Sequence, residues 1–429
     1  MPSRPAPRKA DSEAVKRLVT ACKELLSERG EASGRTRAQA TLAAYASLNA
    51  EEQRQFFRAL QRRFAPDARR ALAAAEAYAR ERSSKNLRAL TAAAEPPRQE
   101  LLRRLNRAPG GTRAIVSMRE ALLEALRGDP ELTQVDDDFH HLLSSWFNPG
   151  FLQMVRVDWN TPAALLEQLI RHEAVHAIRG WDDLRRRLQD DRRCFAFFHP
   201  VLPNAPLIFV EVALLAEMPG TVGPLLDANA PRPYPNAYRI AVFYGISNCE
   251  PGLRGVSLGN FLIKQVATQL ADEFPELTRF CTLSPIPGFR RWLDHVLADA
   301  HAEAALNERA RSALHRFKGL VVREPAPAYD SARVAEPAAA SADLEALCAA
   351  YLTGGPAGMT TDPVARFHLN NGARLERINQ QADLSVKGQA QSFGMMVNYV
   401  YDLKRVERNH EAFVEGRVGM SQRIRRLIA

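Results

Sequence analysis

Two short runs of the sequence hold the side chains that are best suited to chemistry. Ser284 lies in the run Leu283–Phe289, where two prolines fix the backbone φ angle and stiffen the chain after a predicted strand. His368 lies in the run Ala365–Ala373, and a histidine can give up or take a proton near neutral pH. A held hydroxyl and a titratable imidazole suit catalysis by hydrogen bonding and proton transfer. Taken singly, such a serine is more often a turn residue, and such a histidine more often belongs to the core.

A glycine-rich loop precedes a predicted amphipathic helix between Tyr238 and Pro287. The pattern predicts a strand over 239–248, a loop, a helix over 261–274 and a second strand over 279–283. Backbone N–H groups of such a loop and the positive end of the following helix can hold a pyrophosphate. An ordinary tight connection explains the same loop. Lys264, in the predicted helix, is a further candidate for phosphate contact, although an exposed basic residue is usually a solvated one. The candidate binding residues are Arg254, Gly255, Val256, Ser257, Leu258, Gly259 and Asn260.

An HExxH pattern occurs at His172, Glu173 and His176. On a helix, the two histidines would lie one turn apart and could share a zinc ion, with the glutamate as general base. The nearest later histidine is His199, beyond a predicted turn and strand, and no third ligand follows at a known spacing. We therefore expect no metal, and a zinc hydrolase is a minor alternative.

Longer stretches resemble two known groups of proteins. The loop Arg254–Gly259 resembles the R/Q-x-x-G-x-G/A pyrophosphate loop of the Gcn5-related acetyltransferase superfamily, with Gly259 at its last position. The runs around Ser284 and His368 resemble the two active-site motifs of the malonyl-CoA decarboxylase family. Similar segments follow one another in the same order over residues 140–405, at 173–176, 192–195, 243–247, 259–264 and 378–383.

The resemblance implies an activity and an assembly. The expected reaction converts malonyl-CoA to acetyl-CoA and CO2 through a thioester enolate, with coenzyme A as part of the substrate and no cofactor or metal. His368 would protonate the enolate, and Ser284 would hydrogen-bond the carboxylate or the enolate. A homotetramer is expected through the N-terminal helices. Candidate supporting donors near the second motif are Asn370, Asn371, Asn398, Tyr399 and Tyr401. A CoA-dependent acyltransferase of the same superfamily and a non-catalytic CoA-binding module remain open.

The elements that position these residues follow from composition. Residues 11–147 are rich in Ala, Leu, Arg, Glu and Gln and predict a bundle of about six to eight helices, the first ending at Gly30. After residue 148, β-branched and aromatic runs at 194–198, 207–215 and 239–246 predict strands. The expected fold is a helical oligomerisation domain over 1–147, then an acetyltransferase-like mixed α/β domain with a splayed central sheet over 148–429. Within the second domain, Ala- and Pro-rich residues 325–343 predict an exposed connection.

Overall composition excludes several classes of protein. The 429 residues are 46% hydrophobic and 25% charged, which is typical of a globular chain with two domains. Residues 1–147 hold 26 basic and 19 acidic residues, but the basic residues alternate with acidic ones, so we expect no nucleic-acid binding. Five cysteines without short spacings predict free thiols. Apolar runs are too short for a membrane span, and no targeting signal is found, which predicts a cytoplasmic protein.

Overall fold

The computed structural model describes residues 11–256, 258, 262–321, 338–354 and 360–429. Contacts between Cα atoms divide the chain into two compact units. The first consists of Met1–Leu152, His199–Pro203 and Glu250–Leu258, and the second of Gln153–Phe198, Asn204–Cys249 and Gly259–Ala429. The predicted fold class is confirmed, since a helical region is followed by a mixed α/β region with a central sheet.

The first unit is built from helices with one apolar face each. Val15, Leu18 and Cys22 lie along the buried face of α1, and the Ser12 hydroxyl accepts the Val15 N–H at its start. The first helix was expected to end at Gly30, but it ends at Ser27, and Gly30 precedes the second helix. The helices are α1 Glu13–Ser27, α2 Glu31–Ala46, α3 Ala50–Arg63, α4 Ala68–Arg80, α5 Ser84–Ala94, α6 Pro97–Leu105, α7 Gly111–Ala125 and α8 Thr133–Trp146.

The second unit surrounds a twisted sheet with short helices. Its strands are β1 Gln153–Val157, β2 Arg192–Phe198, β3 Ile208–Leu215, β4 Ile240–Asn248, β5 Arg279–Thr282, β6 Ser284–Pro285, β7 Arg374–Asn379 and β8 Met396–Tyr401. Its helices are α9 Ala163–His172, α10 Trp181–Arg187, α11 Gly223–Leu226, α12 Leu262–Glu273, α13 Phe289–Ala298, α14 Ala300–Ala304, α15 Glu308–Val321, α16 Ala338–Thr353, α17 Pro363–Asn370, α18 Val386–Ser392, α19 Val406–Val414 and α20 Gln422–Ile428.

The sheet parts where its two parallel strands end. The strand order is β1-β2-β3-β4-β5-β8, and β6 and β7 both pair with β8. The parallel pairing of β4 with β5 runs from Ile240 opposite Arg279 to Phe243 opposite Thr282. Beyond that point β4 continues beside β3 to Asn248, whereas the chain after β5 turns into β6 against β8. The described pairing of β4 with β5 therefore ends at Phe243 and Thr282, and the carboxyl ends of parallel strands are the usual place for a ligand in such sheets.

Three other predictions can be compared with the described residues. The segment predicted as an exposed connection, 325–343, is partly helical, because α16 begins at Ala338 and buries Asp343; the rest of it lies outside the described residues. All five cysteines are free thiols and are buried. Within the described part of the chain, no helix combines the length and apolar character that a bilayer crossing needs.

Candidate active site

Ser284 lies at the point where the sheet parts. The sequence predicted that this serine closes a strand, but β5 ends at Thr282 and Ser284 begins the two-residue strand β6, opposite Val397 of β8. The side chain is almost fully buried, with 5% of the residue exposed. Because a strand on one side and two prolines on the other fix the backbone, the hydroxyl has a defined direction.

His368 reaches Ser284 from a different element, 84 residues later in the chain. It lies in the last turn of α17 and is 3% exposed. Its Nε2 atom is 2.9 Å from the Ser284 Oγ atom, within hydrogen-bonding distance. The two side chains that the sequence singled out therefore form one buried pair.

The hydrogen bonds around this pair fit an imidazole whose proton lies on the nitrogen that faces Ser284. The Ser284 hydroxyl donates to the Thr282 Oγ1 atom at 2.9 Å, and that oxygen also accepts the backbone N–H of Tyr399. A serine that donates to Thr282 can accept from His368, which places the ring proton on Nε2. The Nδ1 atom is then free to accept the Tyr401 hydroxyl proton, at 2.9 Å.

Burial keeps the His368 ring neutral. The sequence predicted a histidine that titrates near neutral pH, but burial lowers the pKa of His368 from 6.5 to about 3. The ring stacks on the Tyr399 ring, with 4.7 Å between centroids, and the Tyr401 ring lies edge-on at 6.2 Å. Since aromatic rings and neutral hydroxyls replace water here, the imidazolium form lacks stabilisation.

The candidate supporting residues have different surroundings. Tyr401 and Tyr399 contact His368 directly, as described above. Asn398 lies behind the site, where its side-chain amide donates to the Thr282 carbonyl at 2.8 Å. The Asn371 side chain donates to the Phe367 carbonyl near the end of α17, and the Asn370 carbonyl accepts from His410. The two tyrosines therefore contact His368 of the pair, whereas Asn398 contacts Thr282, the hydrogen-bond partner of Ser284.

Asp362 is a buried residue that the sequence reasoning missed. One carboxylate oxygen accepts the N–H groups of Val364 and Ala365 at the start of α17, the helix that carries His368. The other oxygen is 3.4 Å from the Gly288 N–H, in the turn that follows Ser284, and accepts the Tyr351 hydroxyl at 3.2 Å. A Cβ atom on Gly288 would collide with that hydroxyl. The Asp-Pro pair at the helix start is a capping signal that could have identified this residue.

The candidate phosphate loop is only partly described. Ser257, Gly259 and Asn260 lie outside the described residues, so the predicted helix start at residue 261 is not tested. Arg254, Gly255, Val256 and Leu258 belong to the first unit, where Arg119 donates to the Arg254 carbonyl at 2.8 Å and Gly255 has a φ of +83°. Arg254 and Gly255 are exposed, whereas Val256 and Leu258 are buried. In the second unit, Lys264 forms an ion pair with Glu407 at 2.7 Å.

The HExxH residues do not form the helical arrangement that a zinc site requires. Helix α9 ends at His172, so His176 lies in the following loop rather than one turn along the helix. The Glu173 carboxylate accepts the N–H groups of Val175 and His176 and the Ser247 hydroxyl. In the described part of the chain, no three His, Cys, Asp or Glu side chains are grouped to hold a metal ion. The zinc hydrolase alternative lacks its helix and its free glutamate.

Comparisons with known proteins match one family over most of the chain. The family model described as malonyl-CoA decarboxylase C-terminal domain matches residues 150–429, and the N-terminal domain model of the same family matches residues 64–147. The chain is 36% identical over 339 residues to the mitochondrial malonyl-CoA decarboxylase of Anser anser anser, covering 74% of this chain and 66% of that protein. It is 35% identical over 353 residues to the mitochondrial enzyme of Mus musculus, covering 78% of this chain and 71% of that one.

Two solved structures are similar over nearly the whole chain. The malonyl-CoA decarboxylase of Rhodopseudomonas palustris is 46% identical with a TM-score of 0.87, covering 96% of this chain and 99% of that one. The malonyl-CoA decarboxylase of Agrobacterium vitis is also 46% identical, with a TM-score of 0.84, covering 96% of this chain and all of that one.

Proposed function

The chain belongs to the malonyl-CoA decarboxylase family, and from that premise we propose that it converts malonyl-CoA to acetyl-CoA and CO2 at Ser284 and His368. The observation that carries the proposal is the buried contact of 2.9 Å between the two side chains, at the point where β4 and β5 part. The family resemblance and the contact support the same two residues independently.

Decarboxylation here is helped by neutral hydrogen-bond donors. The bond between Cα and the carboxylate breaks, CO2 leaves, and the electron pair moves into the thioester as an enolate. The Ser284 hydroxyl and the Nε2–H of His368 can stabilise the developing negative charge, and one well-placed donor contributes about 3 kcal/mol. The buried surroundings strengthen these hydrogen bonds, because water does not compete for the enolate oxygen.

Protonation of Cα completes the reaction. His368 gives its Nε2 proton to Cα, and its Nδ1 atom takes the hydroxyl proton of Tyr401, so the ring stays neutral throughout. A solvent proton then adds to Nε2, and Nδ1 returns its proton to the Tyr401 oxygen, which regenerates the starting tautomer. The 2.9 Å contact between Nδ1 and the Tyr401 hydroxyl supports this relay. No step needs a metal or an organic cofactor.

Further parts of the proposal rest on the family resemblance. The loop 254–260 would hold the phosphates of coenzyme A, with Arg254 as its cation and backbone N–H groups as further donors. Residues 1–147 would form the oligomerisation domain of a homotetramer, and residues 148–429 the catalytic domain. A cytoplasmic location stays a prediction, since the goose and mouse relatives are named mitochondrial.

The decisive experiment supplies malonyl-CoA and no acceptor. We expect the purified full chain to release CO2 and acetyl-CoA, measured by coupled assay and mass spectrometry. His368→Asn should lower kcat by about two orders of magnitude or more, the usual contribution of a positioned acid. Its matched control is His295→Asn, because His295 is an exposed histidine on α13.

Two results would contradict the proposal. Acyl transfer to an added amine without CO2 release from malonyl-CoA would favour the acyltransferase alternative. Equal turnover by the wild type, His368→Asn and Ser284→Ala would remove both side chains from the mechanism.

A further inference from the structure

A cleft in the second unit is lined by two arginines and one glutamate, all of them described residues, so its lining has a net positive charge. It has a volume of about 460 Å³ and is lined by residues of the β3–α11 connection, β7, α16 and α20. This volume is in the range of small-molecule sites. Its charged lining residues are Arg377, Arg423 and Glu345, which leaves one positive charge in excess.

Arg377 is the half-buried cation of this cleft. Its Nε atom donates to the Asn398 Oδ1 atom at 3.1 Å, and its Nη2 atom donates to the carbonyls of Met218 and Pro219. Each of these acceptors is neutral, and none of the ion pairs among the described residues includes Arg377. Burying a guanidinium without a paired carboxylate is unfavourable. An anion that binds beside Arg377 from solution would supply the missing negative charge.

Arg423 adds a second guanidinium on the open side of the cleft. It lies on α20 and pairs with Glu345 through one nitrogen, at 3.1 Å, while more than half of its side chain stays exposed. Arg377 and Arg423 both line the cleft, and burial together with the nearby Arg423 charge lowers the pKa of Arg377. Planar guanidinium groups bind carboxylate and phosphate oxygens in pairs.

We propose that this cleft binds a small oxyanion with two or more negative charges, held by Arg377 and Arg423, and that binding there affects the position of Ser284. Free phosphates and polycarboxylates share the required chemistry. Gly220 borders Arg377 and leaves room beside it, since even a Cβ atom there would lie 3.8 Å from Nη2.

A short chain of contacts joins the cleft to the catalytic serine. Arg377 donates to Asn398, which donates to the Thr282 carbonyl at 2.8 Å, and the Thr282 hydroxyl oxygen accepts from Ser284. An anion that draws the guanidinium toward the cleft would loosen its bond to Asn398 and thus change the support of Thr282. This coupling rests on the proposed role of Ser284, whereas the binding site does not.

Calorimetry on the full chain tests the binding site without reference to activity. Citrate and inorganic pyrophosphate are titrated separately at constant ionic strength, so that the two arms distinguish a carboxylate from a phosphate ligand. We expect at least one to bind, with affinity reduced by about tenfold in Arg423→Gln, the loss typical of one charge-assisted contact. Arg425→Gln is the matched control, because Arg425 is an exposed arginine on the same helix outside the cleft.

Steady-state rates test the coupling. The binding anion should change kcat for malonyl-CoA without a proportional rise in KM, and Arg423→Gln should lose this response while Arg425→Gln keeps it. Absence of binding by both anions, or equal affinity in Arg423→Gln and the wild type, would overturn the site. A purely competitive effect would assign the anion to the active site instead, and binding with unchanged kcat would overturn the coupling.

Discussion

His368 differs from an exposed histidine because its surroundings supply hydrogen bonds but little negative charge. Burial alone holds its pKa near 3, so the ring is neutral at every pH at which the protein is normally assayed. The neutral form still has one proton to donate, on the nitrogen that faces Ser284. In the proposed mechanism the imidazole therefore acts as a hydrogen-bond donor rather than as a cation.

This protonation state predicts the pH dependence of catalysis. A group with a pKa of about 3 stays neutral between pH 5 and 8, so kcat/KM should show no inflection from His368 in that range. The profile is measured with malonyl-CoA at constant ionic strength. A kcat/KM that falls tenfold for each unit of rising pH would instead require an imidazolium, and would contradict the neutral donor.

Tyr401→Phe tests the proposed proton relay from Tyr401 to His368 in the same pH experiment. It removes the hydroxyl that contacts Nδ1 and leaves the ring packing in place. We expect a lower kcat with the same flat pH profile, because the change removes a proton source without adding a titrating group.

At the scale of elements, one carboxylate connects the two segments that carry Ser284 and His368. Asp362 caps α17 with one oxygen and holds the Gly288 turn and Tyr351 with the other. It is fully buried, so water does not replace these contacts when the carboxylate is removed. We therefore infer that Asp362, which touches neither side chain, helps to set the distance between Ser284 and His368.

We expect Asp362→Ala to lower kcat by about tenfold or more while KM changes little, because the alignment of the pair loosens and the rest of the substrate site stays. The free energy of unfolding should fall by about 1 to 3 kcal/mol, from the lost cap and the unpaired donors. Both are measured by steady-state kinetics and urea unfolding.

The matched control is Asp67→Ala, which removes an exposed cap of α4 in the first unit. It should lower stability without affecting kcat. Asp362→Asn, which retains one capping oxygen, should recover part of the lost turnover. A loss of stability in Asp362→Ala with unchanged kcat would assign this residue to folding alone.

At the scale of the whole molecule, the helical hairpin α4–α5 lacks a buried face within its own chain. None of the α4 residues is buried, and Ala93 is the buried residue of α5 in the described structure. Leu72 and Leu87 are 61% and 47% exposed. Amphipathic helices of this kind are stabilised by packing against a partner, which supports self-association through the N-terminal helices.

We expect Leu72→Glu combined with Leu87→Glu to dissociate the proposed tetramer into smaller particles, because charged side chains cannot be buried in an apolar interface. Sedimentation velocity of the full chain measures the change, and circular dichroism verifies that the helices persist. Lys85→Glu is the control, since it changes charge on the same hairpin without removing apolar surface. An unchanged sedimentation coefficient in the double variant would place the interface elsewhere.

The sequence by itself determined the local features of this protein. The helical character of residues 11–147 and the strands near 194–198, 207–215 and 239–248 follow from composition and periodicity, which act within a few residues. Ordered similarity also identified the family and singled out Ser284 and His368 as candidate site residues.

Only the tertiary structure decided how those residues behave. The contact between Ser284 and His368, the low pKa of the histidine and the role of Asp362 each depend on segments that are far apart in the chain. The HExxH pattern shows that a local motif can suggest a site that the fold does not form. Its five residues fit a zinc-binding helix, but α9 ends at the first histidine. The burial that shifts a side-chain pKa is set by packing between distant segments. A local sequence pattern does not determine which side chains will share a core.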